Sequence, residues 1–380
     1  MRRISLIAIA LLLALGVTLS ACGGAQAPPP AAPTPPAGED GEGNLPFNVV
    51  SILNGNLGDR SFFDSAESGL VELAARGIIT HRTIELGGAD ADQPRWRDTL
   101  IEVSEMGEFD VIIVGTWQMN EFLEEIAPRY PHQMYIIYDS VVNAPNVLSL
   151  NYRQNDMGFV IGAFAGAMTT QTDFPNINPE RVIGFIGGED GPVINDFLVG
   201  FIEGALSVDP EIRIDTRYVA SFVDPAGARE LANAMIMQNN VDIIWGVAGL
   251  SGNGAAEAAF ENGAWFIGVD SDQEATFVGA QAPLAGITLT SGLKNIGESL
   301  IWAFEELAAG NAHWGQEIWL GLDMNGVGIV TDKNFATTPE HVQQLTLQAL
   351  ESVKSGAIIV GSAFGANAVD VAALRESVRP

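Results

Sequence analysis

Two successive series of alternating strand-type and helix-type segments dominate this sequence. From Phe47 the β-branched run FNVVSILN precedes an amphipathic stretch, and the same rhythm continues through DVIIVG and MYIIYD. It restarts after Tyr152, where the pattern predicts a long apolar helix over Asp156–Thr170. Alternating strands and helices build parallel sheets with helices on both faces. We therefore expect an α/β protein with two doubly wound parallel-sheet lobes of similar size.

The later segments are too few for a third domain and are expected to cross back and complete the first two lobes. The predicted organisation is a signal peptide over 1–21, a Pro/Gly/Ala-rich tether over 22–45, a first lobe over 46–151 plus 290–320, and a second lobe over 152–289 plus 321–380. Two lobes whose loops face each other across a cleft are typical of binding proteins that close by a hinge motion.

The N-terminus has the three parts of a bacterial lipoprotein signal. Met1–Arg3 is basic, Ile4–Leu19 is apolar, and small residues precede Cys22, the single cysteine. Cys22 is predicted to be acylated and to become the mature N-terminus. An uncleaved membrane helix is the alternative, but the apolar run is short for spanning a bilayer. The expected location is the extracytoplasmic face of the cell membrane, with the lipid as anchor.

Composition limits the partners of the folded part. The chain has 18 Lys and Arg against 47 Asp and Glu, a formal net charge of −29. Such a charge repels nucleic-acid phosphates and anionic lipid headgroups, so we expect no nucleic-acid partner. Residues 23–44 contain no large apolar side chain, which predicts an extended tether between the anchor and the fold.

Ligands of open α/β sheets bind beyond the carboxyl ends of the strands. Seven loops of this chain follow predicted strands, and several of them combine Gly, Asp, Asn and an aromatic residue. They are Asn54–Phe63, Gly115–Asn120, Asp139–Val142, Gly187–Asn195, Ser221–Pro225, Ala248–Gly254 and Asp270–Glu274.

The first of these loops ends in two adjacent phenylalanines, Phe62 and Phe63. Ser61 or Asp64 is expected to cap the helix that begins there. Neighbouring helical residues point about 100° apart, so the two rings cannot both face the core. One ring is therefore expected to be exposed or to line a cleft, where it could stack on a planar heterocycle. A purely structural role as a hydrophobic staple is equally compatible with the pattern.

A second group of polar residues follows the apolar run WFIGV. Asp270 and Asp272 lie at the end of this strand, where carboxylates can accept hydrogen bonds from two adjacent sugar hydroxyls. Lys294 is one of three lysines and could hold one of these carboxylates ionised. Capping of the next turn and a surface lysine are the simpler alternatives. The spacing lacks the Gly turn and distal Glu of a calcium loop, so no metal is expected.

Signatures of common enzyme classes are absent from the sequence. It contains no phosphate-binding G-x-x-x-x-G-K-[ST] loop, no H-E-x-x-H zinc motif and no G-x-S-x-G nucleophile motif. Its four histidines have no metal-ligand spacing. We therefore expect no cofactor and no catalysis.

Several segments together resemble the BMP, or PnrA-like, family of ABC-transporter substrate-binding lipoproteins. They are VIGFIGGEDGPVINDFLVGFIEGA, VASFVDPAGARELA, AGLSGNG, IGVDSDQ, MYIIYDSVVNAPNV, NYRQNDMGFVIGAFAG and LGLDMNGVGI. They occur in matching order and spacing from Phe47 to Val330. The resemblance implies a type I periplasmic-binding-protein fold, with two lobes joined by three crossovers that close on a nucleoside, commonly a purine nucleoside.

The resemblance also implies the residues that contact the ligand. They are the aromatic residues Phe62 and Phe222, the carboxylate of Asp139, and a ribose group of Asp270 or Asp272 with Lys294. Phe63 and Gly249 lie in two of the nominated loops and are also expected to contact the ligand. At Phe63 the family usually has Asn, so this chain lacks an amide that could read a base edge.

The sequence therefore predicts a lipid-anchored, monomeric solute-binding protein that captures a nucleoside-like ligand and delivers it to ABC permease subunits. A lipoprotein that senses the ligand and signals to a partner is an alternative. A nucleoside-processing enzyme is a weaker one.

Overall fold

The computed structural model describes residues 45–380. The predicted signal peptide, Cys22 and the tether up to residue 44 lie outside the described residues. Within residues 45–380, no helix is both long enough and apolar enough to cross a membrane.

The described residues form two six-stranded sheets with helices on both sides. The strands are β1 Phe47–Leu53, β2 Ile79–Glu85, β3 Val111–Gly115, β4 Met134–Tyr138, β5 Val147–Tyr152, β6 Val182–Gly187, β7 Arg213–Tyr218, β8 Ile243–Val247, β9 Trp265–Asp270, β10 Thr288–Lys294, β11 Glu317–Leu320 and β12 Val327–Ile329. The helices are α1 Phe62–Ala75, α2 Gln93–Met106, α3 Asn120–Ile126, α4 Gln154–Thr169, α5 Pro192–Val208, α6 Pro225–Asn239, α7 Gly252–Asn262, α8 Gln273–Thr276, α9 Ala282–Ala285, α10 Ile296–Ala308, α11 Glu340–Lys354 and α12 Val371–Ser377.

Both sheets have the strand order of doubly wound α/β lobes. The first sheet has the order β11-β5-β4-β3-β1-β2, and all of its neighbouring strands are parallel. The second has the order β12-β10-β9-β8-β6-β7 and is parallel except for β12, which runs antiparallel to β10. The predicted fold class, two doubly wound parallel-sheet lobes, is confirmed.

The chain passes between the two sheets three times: after β5, after β10 and after β11. The boundary that we expected at residue 290 is wrong, because it falls inside β10. This strand forms a parallel ladder with β9 and therefore belongs to the second sheet through Lys294. The passage back to the first lobe follows it, and α10 then packs against α1.

The second lobe is centred on α4, which is buried along nearly its whole length. A helix that is apolar all round is buried on all sides, and α4 packs against both α5 and α11. Glycines make the α4–α5 contact close. A β-carbon on Gly162 would lie 2.1 Å from the carbonyl oxygen of Phe201, and one on Gly200 would lie 2.0 Å from that of Asn155.

Candidate functional site

A cavity of about 760 Å³ lies where the carboxyl ends of the two sheets meet. Its lining comes from both lobes and comprises Asn54, Gly55, Asn56, Asp59, Phe62, Phe63, Gly88, Thr116, Trp117, Gln118, Asp139, Val193, Ile194, Phe197, Phe222, Val223, Val247, Gly249, Leu250, Asp270 and Lys294.

The loop after β1 is held by the buried carboxylate of Asp59. Its oxygens accept hydrogen bonds from the backbone N–H groups of Ser61 at 3.0 Å, Phe63 at 2.8 Å and Asp64 at 3.1 Å. Burial raises the pKa of Asp59 to about 6, although these hydrogen bonds act in the opposite direction. Asp59 thus caps α1. Ser61, one of the two residues predicted for this role, occupies the N-cap position of α1, but its hydroxyl makes no capping bond.

Phe62 and Phe63 both line the cavity, although only one was expected to be available for a ligand. Their ring centroids lie 5.1 Å apart with an interplanar angle of 84°. Phe62 also packs on Tyr138, with 5.5 Å between centroids. Phe63 lies over Gly55, where a β-carbon would come within 2.1 Å of the ring. The missing side chain of Gly55 therefore makes room for the second ring.

Phe222 approaches the cavity from the second lobe. Its ring meets Trp117 of the first lobe edge to face, with centroids 5.7 Å apart at 70°. It lies against Gly188, where a β-carbon would be 2.3 Å from the ring. The cavity is thus walled by aromatic rings from both lobes, an arrangement suited to a flat ligand.

A buried charged group lies at the floor of the cavity. The Lys294 ammonium donates to Asp139 Oδ1 at 2.6 Å, and these two side chains are 1% and 4% exposed. The Lys294 nitrogen also lies 4.6 Å from the centroid of the Phe197 ring. Because Asp139 follows β4 and Lys294 ends β10, this ion pair joins the two lobes.

Asp270 is the second carboxylate of this charged group. The Ser61 hydroxyl donates to Asp270 Oδ2 at 2.9 Å. Burial raises the pKa of Asp270 to about 7, which the Lys294 charge and the Ser61 hydrogen bond only partly offset. Burial likewise raises the pKa of Asp139, against the opposing effect of Lys294. Lys294 is thus bonded to Asp139 and acts on Asp270 through its charge, while burial favours the protonated form of both carboxyl groups.

Three cavity residues at or just after strand ends adopt the left-handed backbone conformation that non-glycine residues rarely take. The φ angles are 71° at Thr116, 60° at Asp139 and 63° at Asp270. Each such residue costs about 1–3 kcal/mol and persists only where the surroundings enforce it. Such strain concentrates at binding and catalytic sites, which agrees with the position of these residues.

A chain of amides runs along the first-lobe wall and reaches the second lobe. Asn54 Nδ2 donates to Thr116 Oγ1 at 2.8 Å and to Gln118 Oε1 at 3.0 Å. Gln118 Nε2 donates in turn to Glu189 Oε1 at 3.2 Å. Asn54 Oδ1 is buried and has no partner among the described residues. It is therefore an acceptor available to a ligand N–H or O–H group.

Residues 47–362 match the Bmp family, whose description is ABC transporter substrate-binding protein, PnrA-like. The chain belongs to this family.

Individual relatives extend over most of the chain. The CD4+ T-cell-stimulating antigen of Listeria innocua is 28% identical over 339 residues, which are 86% of this chain and 90% of that protein. The ABC transporter nucleoside-binding protein BmpA of Lactococcus lactis is 27% identical over 84% of this chain and 90% of that protein. An ABC-transporter solute-binding protein of Aeropyrum pernix superposes with a TM-score of 0.71 at 23% identity, over 88% of this chain and all of that chain. The Bmp family and this solved neighbour are substrate-binding proteins, not enzymes.

Most residues that were nominated from the sequence line this cavity. The structure brings together Phe62, Phe63, Asp139, Phe222, Gly249, Asp270 and Lys294. Asp272 is the exception. Its carboxylate accepts from the backbone N–H of Ala275 at 3.2 Å and pairs with Lys333, so it caps α8 outside the cavity. Of the two aspartates left open by the sequence, Asp270 is the one at the site.

Trp117, Asn54 and Gln118 were not singled out from the sequence, although the loops that contain them were nominated. Phe197 could not be found in this way, because it lies one turn inside α5, where an apolar residue has the pattern of a core position. Within residues 45–380, no cluster of three potential metal ligands is present.

Proposed function

We propose that this Bmp-family chain is the lipid-anchored receptor of an ABC importer and that it captures a nucleoside, most favourably a purine nucleoside, between its lobes. The observation that carries the proposal is the cavity itself, in which aromatic rings from both lobes adjoin two carboxylates and an ammonium. Flat rings suit the base, and the carboxylates can accept from the adjacent hydroxyls of a ribose. The Lactococcus lactis relative is named a nucleoside-binding protein, which supports this choice.

Closure of the two lobes is the proposed mechanism. Lys294 and Phe222 belong to the second lobe, whereas Asp139, Phe62 and Trp117 belong to the first. A ligand that contacts all of them stabilises the closed form, because the contacts from both lobes exist only there. The permease then binds the protein in its closed, liganded form. No bond of the ligand is made or broken.

Cys22 is the proposed anchor. Two or three acyl chains on one cysteine bury enough CH₂ groups, at about 0.8 kcal/mol each, to hold a protein at a membrane. Residues 23–44 would then space the described fold from the bilayer.

The decisive experiment is to purify the protein under native conditions, denature it and identify the released small molecules by mass spectrometry. We expect a nucleoside in near-stoichiometric amount, or tight binding of one by calorimetry if the protein is isolated empty. Release of a free sugar or an amino acid, with no binding of any nucleoside, would refute the proposal. Recovery of a chemically altered nucleoside after incubation would favour an enzyme instead.

A further inference from the structure

A second cavity adjoins the first one. It has a volume of about 680 Å³ and shares Trp117, Asp139 and Val193 with the first cavity. These three side chains line both spaces, so they form the boundary between the two cavities. Asp139 is also the ion-pair partner of Lys294, so the contact between the cavities lies beside the proposed ribose group.

The walls that belong only to the second cavity are neutral. Trp319 of β11 and Phe364 form an edge-to-face pair with ring centroids 6.1 Å apart. Ser140 Oγ, also in the lining, donates to Asn120 Oδ1 at 2.6 Å. Among the described residues that line this cavity, Asp139 is the only charged one. The space thus suits an uncharged apolar group and offers no cation to a phosphate.

Phe364 is held in place by a buried carboxylate. Asp196 Oδ1 accepts from Ser362 Oγ at 2.6 Å and from the backbone N–H of Ala363 at 2.8 Å. The match to the Bmp family ends at residue 362. The aromatic wall of the second cavity is therefore completed by a residue of this chain that lies beyond the matched segment.

We propose that the second cavity is a subsite for an uncharged substituent on the 5′ carbon of the bound nucleoside. The inference rests on the proposed nucleoside-binding function. With the base between the aromatic rings and the adjacent 2′ and 3′ hydroxyls on the carboxylates, the 5′ carbon is the position of the ribose left free to extend past Asp139. Thioether, alkyl and aryl groups pack well against Trp319 and Phe364. A 5′-phosphate would come next to the Asp139 carboxylate, whose ammonium partner Lys294 is already paired with it, and the other residues that line the second cavity offer no further cation.

The test compares three ligands of one purine on the full-length protein by calorimetry: adenosine, 5′-methylthioadenosine and adenosine 5′-monophosphate. Each buried methylene-sized group improves affinity about fourfold. We therefore expect the thioether to bind at least about fourfold tighter than adenosine, and the monophosphate at least about tenfold more weakly. Equal affinity for adenosine and the thioether, or preference for the monophosphate, would overturn the inference.

Two variants test whether the higher affinity for the thioether arises in the second cavity. Val141 lines the second cavity but not the first. Val141→Trp fills the second cavity and should abolish the higher affinity of the thioether relative to adenosine. Phe364→Ala should reduce thioether affinity about three- to tenfold with adenosine affinity retained. Phe260→Ala removes an exposed ring on α7 and serves as the matched control, with no change for either ligand. Equal losses for both ligands in Val141→Trp and Phe364→Ala would contradict a separate subsite.

The outcomes also separate this inference from the function on which it rests. If adenosine binds and the thioether gains nothing, the subsite alone is wrong. If no ligand of the series binds, the purine-nucleoside function fails and the subsite fails with it.

Discussion

At the scale of single residues, Lys294 connects the two lobes. Removing one partner of a buried ion pair costs far more than the pair contributes, because a buried charge is left without compensation. The Lys294–Asp139 pair is therefore weak evidence of a contribution to stability. It is better evidence of a site that must hold charge in a closed cavity. Asp139 and Asp270 both face this ammonium, and a ligand hydroxyl could bond to either carboxylate while Lys294 remains paired.

Phe222→Ala is expected to weaken nucleoside binding roughly 5- to 150-fold. Base–aromatic stacking contributes about 1–3 kcal/mol per ring, and Phe222 is only half-buried in the unliganded cavity, so the fold itself should lose little. Calorimetry measures the affinity, and thermal unfolding checks the fold. Phe260→Ala, which removes an exposed ring far from the cavity lining, is the control. Wild-type affinity in Phe222→Ala would exclude this ring from the site.

Nucleoside binding is expected to weaken as the pH falls below 7. In the proposed complex a ligand hydroxyl donates to ionised Asp270, but burial raises the pKa of this carboxyl to about 7, so at lower pH a proton must first leave. For one such proton, the dissociation constant rises about tenfold per pH unit well below the pKa. Asp270→Asn should bind more weakly at pH 8 and lose most of this pH dependence. A wild-type affinity that is constant from pH 5 to pH 8 would contradict the assignment.

At the scale of elements, the contact between α4 and α5 depends on glycine. Gly158 and Gly162 of α4 and Gly200 and Gly204 of α5 let the two backbones approach. At each position an added β-carbon would lie 2.0–2.4 Å from a carbonyl oxygen of the partner helix. Backbone atoms cannot yield as a flexible side chain can, so a methyl group here must push the helices apart.

Gly200→Ala is therefore expected to destabilise the protein by about 1–3 kcal/mol or more, despite the higher helix propensity of alanine. Thermal or urea unfolding measures the loss. Gly328→Ala is the matched control, because a β-carbon there would meet only Leu293, at 3.9 Å. An unchanged midpoint in Gly200→Ala would mean that the helices are not packed as closely as described.

The N-terminus of α1 makes hydrogen bonds within the first lobe and to the second lobe. Asp59 accepts the free N–H groups of the first turn, and this leaves the Ser61 hydroxyl available to Asp270 of the second lobe. Ser271 Oγ in turn donates to the carbonyl oxygen of Ser61 at 2.9 Å. The helix that presents Phe62 and Phe63 is thus tied directly to the strand end that presents Asp270.

At the scale of the whole molecule, buried carboxyl groups determine how stability depends on pH. Burial is the largest cause of raised pKa values at Asp59, Asp156 and Asp196, to about 6, and at Asp242 and Asp270, to about 7. A group whose pKa is raised by folding binds its proton more tightly in the folded state. Its stabilising contribution is complete below the unfolded pKa and is lost as the pH rises through the folded pKa.

The unliganded protein is therefore expected to melt at a higher temperature at pH 6 than at pH 8, by roughly 5 °C. Differential scanning calorimetry across this range measures the effect. Asp242→Asn should remove part of this pH dependence, because its buried carboxyl accepts from the Thr169 hydroxyl and the backbone N–H of Asn178 and lies outside the cavity lining. A melting temperature that rises from pH 6 to pH 8 would show that other ionisable groups determine how stability depends on pH.

Cys22→Ser is expected to leave the precursor uncleaved by the lipoprotein peptidase and unlabelled by radioactive fatty acid. The reason is that the basic, apolar and small-residue segments converge on this single cysteine. Labelling of cells that express each form, followed by fractionation, measures both effects. Equal labelling of the serine variant would refute lipidation at Cys22.

The sequence alone determined the class of fold and nominated most of the residues discussed above that line the candidate cavity. Strand-type and helix-type periodicity is a local property, and polar residues placed after apolar strands already indicate which edge of a sheet binds a ligand. Phe62, Asp139 and Lys294 were found through the family resemblance, and the structure brings them together.

Only the tertiary structure decided between residues whose local patterns are alike. Asp270 and Asp272 are two positions apart, yet one ends β9 inside the cavity and the other caps α8 outside it. The periodicity of β10 is the same whichever sheet it joins, so only its ladder with β9 assigns it to the second lobe. Trp117 contacts Phe222 and Asp139 contacts Lys294 because the two sheets, which the chain connects by three crossovers, face each other at this cavity. That arrangement depends on the whole chain rather than on any local pattern.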